Sequence, residues 1–296
     1  MSERTGTAGS IYDLGYRPYD GVRLGRRHAF AALYVYSLRA VFGLGRSTWS
    51  KVFPFGLAAI ALVPASIQLA IAAISPVDFE FIRPEEYFEF VYIVIALFCA
   101  VVAPEIIGRD QRNHTLPLYF SRALSRADYV SAKVGALAVA LFVVVGLPQI
   151  VLLLGGAVAT DDLVGHLRDN ADLLPPIFAS SLIVAVFLSA VSLTIAAQTS
   201  RRAFATGAVL AYFVIFTAIG LILVETTTGD FRRFSILISP VDMLDGAVHW
   251  LFDATPPPES DLAKADLQGG FYLLAAAGYT LVALVLLYRR FLRMTV

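Results

Sequence analysis

The residues of this chain whose types and spacing could do chemistry fall into three small groups. Asp162, His166 and Asp169 would share one face of a helix, and Asp242, Asp245 and His249 nearly would. Carboxylates and imidazoles spaced in this way can ligate a divalent metal. Glu105, with Asp110 and His114, could instead supply a general base near a membrane surface. Both histidine clusters sit in acid-rich connecting segments, where solvated surface carboxylates are the plainer expectation, so no metal site is expected. The sequence has no G-x-x-x-x-G-K-[ST] phosphate loop, no H-E-x-x-H and no G-x-S-x-G. GLGRS, ending at Ser47, is only a lookalike of the last of these. No catalytic residue, cofactor or metal is therefore assigned to this chain, and it is not expected to hydrolyse ATP itself.

The elements that must position these residues are apolar. Hydrophobic residues make up 58% of the 296 and charged residues 16%, against roughly half and a quarter in soluble domains. Mean hydropathy is +0.72. A hydrocarbon core of about 30 Å needs roughly 20 mostly apolar helical residues. Runs at about 52–74, 88–107, 134–159, 174–198, 204–224 and 271–288 meet that length. Lipid offers the backbone no hydrogen-bond partner, and the alternation of a barrel is absent, so the fold class is an all-α polytopic membrane protein with six transmembrane helices. Residues 1–51 are read as a tail and an interface helix, 52–288 as the transmembrane domain and 289–296 as a second tail. The polar, basic character through Lys51 argues against a cleaved secretory signal. Cys99 is the single cysteine, so no intrachain disulfide forms.

The net charge of zero conceals a partition. With six alternating spans and a cytoplasmic N-terminus, most of the 23 Lys and Arg residues lie inside, and only Arg83, Arg168, Arg232, Arg233 and Lys264 lie outside. Lys/Arg bias in short loops sets orientation, so both termini are expected in the cytoplasm. Asn113-His114-Thr115 then matches a glycosylation pattern on the inner side, where it is coincidental. Span interiors are nearly free of ionisable groups; Gln68 and Gln149 are polar but neutral. Ion-coupled transporters usually keep charged relays within the membrane, so any energy for transport is expected from another subunit.

Within the polar segments, 26–42 places Phe30, Leu33, Leu38 and Val41 at loosely helical spacing, as in a helix lying in the headgroup layer. Pro64 and Pro148 are expected to kink the first and third spans. Ser181, Ala185, Ser189, Ser192 and Ala196 form a stripe that would let another helix approach closely, in this chain or a second one. The segment FSILISPVDMLDGAVHWLF is too interrupted to cross and reads as one or two short helices dipping into the outer leaflet. TPPPESD reads as a stiff linker.

The segment 104–133, PEIIGRDQRNHTLPLYFSRALSRADYVSAK, places an acid at the end of one span, then Thr115-Leu116, Leu118, Ser121, Arg126 and Tyr129, then Lys133 entering the next span. This order resembles the permease subunits of type-2 ATP-binding-cassette exporters, which show an acidic residue, TL-x-L-x-x-S-x-P-x-x-R and a lysine opening the third span. His114 stands where the family commonly has Gly, and Arg122-Ala123 replaces its small-residue and Pro pairing. The resemblance implies a coupling helix lying on a separate nucleotide-binding subunit that holds ATP and Mg. Leu116, Leu118, Tyr119 and Phe120 would fill a cleft on that ATPase. Arg112, Arg122 and Arg126 would supply complementary charge. Glu105 would pair with one of these arginines or with the N-terminal helix, and Thr115 opens the motif.

The resemblance also implies a dimer of permease chains in a prokaryotic cytoplasmic (inner) membrane. The second and fifth spans would line the boundary between halves, and the outer re-entrant helices would cap the exit. An amphiphilic or apolar cargo fits the Phe, Tyr and Leu of those spans. Two other readings remain: an intramembrane enzyme or assembly factor acting on lipid-type substrates, and a secondary transporter.

Overall fold

The computed structural model describes residues 21, 24–74, 82–121, 124–158 and 163–294. The N-terminal tail, Arg122 and Asp162 lie outside the described residues, and so do the charge expected of Arg122 and the cluster built on Asp162. Among the described residues every regular element is helical. Six helices are long and apolar enough to cross a membrane: α2 (Trp49–Ile74), α3 with its continuation (Tyr87–Arg112), α6 (Arg126–Val158), α8 (Leu174–Ala196), α9 (Arg202–Thr226) and α13 (Gly269–Leu292). They match the six expected runs but extend into their polar flanks. Two polar turns, RADYVSAK, form the start of α6, and Arg289 and Arg290 lie in the last turn of α13.

The remaining helices are short. α1 (Gly25–Val41) precedes the first span. α4 (Arg109–Arg112) and α5 (Leu116–Phe120) lie between the second and third spans, and α7 (Leu163–Asp169) lies between the third and fourth. α10 (Gly229–Ser235), α11 (Pro240–Leu251) and α12 (Asp261–Ala265) occupy the long segment before the last span. The prolines expected to kink α2 and α6 lie inside helices that continue through them.

α3, α6 and α8 form the inner layer, while α2, α9 and α13 are largely exposed. Side chains that are apolar all round and exposed on the outside belong against lipid or a second chain. The small-residue stripe of α8 is buried in full within the chain, with α6 at its Ser181 end and α3 and α13 also packed against the helix. A Cβ on Gly146 would stand 3.0 Å from Ser181 Oγ, so the two backbones meet closely. Gln149 Nε2 donates to that hydroxyl at 3.4 Å. Thr194 Oγ1 donates across to the Ala283 carbonyl of α13 at 2.8 Å.

Phe30, Leu33, Leu38 and Val41 of α1 pack onto the core, α1 lying chiefly against α6, and Val35 and Tyr36 are the large apolar residues that α1 leaves exposed. Within the chain α2, α8 and α9 enclose α3, leaving Phe90 and Ile93 exposed, whereas α9 keeps a broad apolar face.

Candidate functional site

The segment that drew attention in the sequence is tied to the rest of the bundle by ion pairs, hydrogen bonds and ring contacts. It begins with a π turn, Pro104–Gly108, that interrupts the second span. Proline has no N–H to donate, and one wide turn accommodates the lost bond. Such bulges free backbone groups for other partners. Here the Ile106 carbonyl accepts from Lys133 Nζ at 3.0 Å. Lys133, buried within α6, also pairs with Asp110 Oδ2 at 2.7 Å, and the Tyr129 hydroxyl donates to the same oxygen at 2.8 Å. Lysine and aspartate are almost never fully buried unless paired, and this pair meets that condition.

A second ion network begins one turn earlier. Glu105 receives Arg46 at 2.7 Å, Arg202 at 3.0 Å and, more distantly, Arg112 at 3.9 Å. These arginines come from the α1–α2 turn, the start of α9 and α4. The turn that presents Arg46 needs left-handed backbone, with φ of +64° at Gly43 and +81° at Gly45. The GLGRS lookalike is therefore a tight reversal whose glycines serve the turn.

Beyond α4 the chain reverses through His114 at φ +49°. It is the position at which the resemblance led to an expectation of glycine, the residue that takes left-handed backbone without strain. Thr115 closes the turn, its N–H and its hydroxyl donating to the Asp110 carbonyl at 3.1 and 3.3 Å. The short helix α5 then runs along the surface. Leu118 is 65% exposed, Leu116 is buried, and Tyr119 and Phe120 are half-buried. The two rings lie 5.8 Å from that of Tyr129, which lies 5.0 Å from Phe291 of the last span. Arg126 stands over Phe120 and donates to the Met294 carbonyl at 3.2 Å. Arg112 reaches the Ser200 carbonyl at 3.5 Å, and Gln111 and Arg290 both donate to that of Ala197.

The structure thus brings Glu105, Arg112, Thr115, Leu116, Leu118, Tyr119, Phe120 and Arg126 into one region. It joins to them Arg46, Lys133, Tyr129, Asp110 and Arg202. Arg46 and Arg202 escaped the sequence reading; the only available signal was an arginine beside one span end and an Arg201-Arg202 pair beside another, matched by one acid on a third. Glu105 and Asp110 belong to separate ion networks and do not form a shared acid–base pair with His114. An open groove of about 1090 Å³ runs between α1 and α5, lined in part by Leu24, Ala29, Leu33, Leu118, Tyr119 and Leu124.

The acids near the opposite end of the bundle differ from expectation. Asp245 and His249 are buried within α11, with His249 Nδ1 3.4 Å from Asp245 Oδ2. Burial against α3, α8, α9 and α13 accounts for this, since α11 packs inward between the spans. Desolvation raises the Asp245 carboxyl well above its ordinary range, aided by Glu89, Asp242 and Glu86. Asp242 is pushed up to about 6, mainly by burial. Among the described residues no group of three or more such side chains is arranged to hold a metal ion.

A model of the ABC-2 family transporter protein matches residues 58–296. No curated relative matches the chain. The match covers all but the first 57 residues, including the π turn, the Lys133–Asp110 pair, Glu105 with Arg112 and Arg202 but not Arg46, α5 and all of the last five spans. The chain therefore belongs to the ABC-2 family, as a multi-pass permease component of an ABC transporter.

Proposed function

We propose that this permease transmits ATP-driven motion from a separate nucleotide-binding subunit through the segment 104–133, and that it exports an amphiphilic or apolar cargo. The observation that carries the reading is the contrast within that segment. Leu118 projects into solvent from α5, while the root of the same segment is fastened by the buried Lys133–Asp110 pair and the Tyr129 ring cluster. A protrusion that is exposed at its tip and rigid at its base can convey a push, whereas a loosely attached loop would absorb it. Leu118, with the accessible edges of Tyr119 and Phe120, contacts the ATPase; buried Leu116 anchors the helix from beneath. Arg112 and Arg126 orient the base, and Glu105 joins it to the first and fifth spans.

Both termini face the cytoplasm of a prokaryotic cell, as the distribution of Lys and Arg supports. Two permease chains assemble through exposed apolar faces, of which α9, with Val214, Ile215 and Ile222, is a principal one. The short helices α10 and α11 dip into the outer leaflet and cap the exit. The chain performs no catalysis; ATP and Mg are held by the partner.

The test is a mild-detergent pull-down of the tagged chain from its native host, with mass spectrometry of the retained proteins and an ATPase assay of the eluate. The expected result is recovery of a Walker-motif ATPase by the wild type and its loss with Leu118→Asp, which changes only an exposed side chain. Repeated recovery of the intact chain without any such ATPase, while other membrane complexes survive, would sink the proposal.

A further inference from the structure

The Glu105 network holds more positive charge than it can neutralise. Three guanidiniums share one carboxylate, and among the described residues no second acid reaches Arg46, Arg112 or Arg202 within ion-pair distance. Asp110 is consumed by Lys133, and Asp128 by Arg26. The local balance is therefore a net excess of cationic charge, and Arg202 keeps 56% of its side chain exposed.

Beside this excess lies a pocket of about 220 Å³. Arg46, Glu105 and Arg202 form its polar wall, and Val41, Phe53 and Val102 are among its apolar lining. Trp49, the first residue of α2, lines it as well and is 79% exposed. The pocket lies where three spans end: the start of α2, the end of α3 and the start of α9. Exposed tryptophan at a span terminus marks headgroup depth, because its ring is apolar and its N–H needs a wet partner.

We propose that this pocket binds the phosphate of an anionic phospholipid, held between Arg46 and Arg202, with the first carbons of the lipid against Phe53 and Val102. The planar guanidinium fork matches a phosphate in a way that a lone ammonium does not. Glu105 bridges the two arginines and keeps both aimed at the pocket instead of into bulk water. Basic pockets between span ends are suited to anionic headgroups. A zwitterionic lipid carries the same phosphate but brings its own ammonium, which the cationic surplus repels. The site would tie the lipid to the network that joins the α1–α2 turn, the second span and the fifth. It does not depend on the ATPase partner, so its failure and that of the proposed function are separable.

The experiment uses the purified full-length chain in a non-ionic detergent. Phosphatidylglycerol, phosphatidylcholine and inorganic phosphate are each titrated in, with thermal unfolding followed by tryptophan fluorescence and retained lipid detected by native mass spectrometry. The expected result is a saturable rise in Tm and retained lipid with phosphatidylglycerol alone. Arg202→Gln, which leaves Arg46 paired with Glu105, should weaken that binding about tenfold, the worth of one charged hydrogen-bonding group. Ala40→Phe keeps every arginine and fills the pocket from its lining; it should abolish retention, while Arg233→Gln on the far side should change nothing. Equal shifts with phosphatidylcholine overturn the proposal, as does undiminished phosphatidylglycerol binding in both pocket variants. A full shift with inorganic phosphate alone overturns the lipid assignment in favour of a free-anion site.

Discussion

At the scale of single residues, the segment between the second and third spans shows a cost and a commitment. His114 holds a left-handed backbone that costs a residue with a Cβ about 1–2 kcal/mol. Glycine there removes that strain, although it also enlarges the unfolded ensemble. His114→Gly is expected to leave the fold intact and to raise Tm slightly, a small net gain readable by thermal unfolding in detergent. A clear loss would mean that the imidazole makes a contact worth more than the strain. Lys133 is the commitment. Its removal in Lys133→Met strands a buried carboxylate, a loss of about 3–5 kcal/mol in comparable buried pairs. The double variant Lys133→Met/Asp110→Asn, which leaves no buried charge, should recover much of that stability. If the double variant is as unstable as the single, the pair is not the source of the loss.

At the scale of elements, α11 combines buried acids with few compensating charges. Asp245 is raised by burial and by Glu86 and Glu89 of the α3 side together with Asp242 of its own helix. From the other packed elements, Tyr272 of α13 and Asp261 of α12 are the titratable neighbours identified around the Asp242–Asp245 pair, and α8 has no ionisable side chain. The sign follows from proton counting. A carboxyl whose folded pKa exceeds its unfolded value binds more protons when folded, so stability falls as pH rises. For Asp242 the contribution is complete below its unfolded value of 3.8 and is lost as pH rises through about 6. Amide exchange of residues 240–251, corrected for intrinsic rates, should therefore reveal more opening at pH 8 than at pH 5. Asp245→Asn should flatten that dependence. Faster opening at pH 5 would contradict the burial argument.

At the scale of the whole molecule, Glu105 is where separate parts converge. Its carboxylate links the α1–α2 turn, α4 and the start of α9, while Gln111, Arg112 and Arg290 hold the α8–α9 connection to the same end of the bundle. Glu105→Gln retains size and one acceptor but removes the charge that gathers three arginines. In the proposed complex it should still retain the ATPase in a pull-down, yet reduce the permease's stimulation of ATP hydrolysis about fivefold or more, the low end of ordinary coupling energies. Unchanged stimulation would show that motion does not pass through this junction.

Much of this architecture was legible in the order of residues alone. Six spans follow from run length, because a bilayer of fixed thickness demands a helix of fixed length whatever surrounds it. The motif from Glu105 to Lys133 was legible because a span end, a turn and a short helix are local in sequence. Which faces meet was not. The stripe from Ser181 to Ala196 promised a close neighbour, but only packing decided that helices of the same chain cover it, since small residues permit an approach without specifying a partner. The acids of α11 read as solvated surface, because polarity in a connecting segment usually means exposure; the fold turned them inward between four spans. Arg46 and Arg202 were unremarkable in sequence, separated from Glu105 and from each other by whole spans. Their meeting required the first, second and fifth spans to end side by side. Local spacing fixes what an element is, and the surfaces that elements bury against one another decide what its side chains can do.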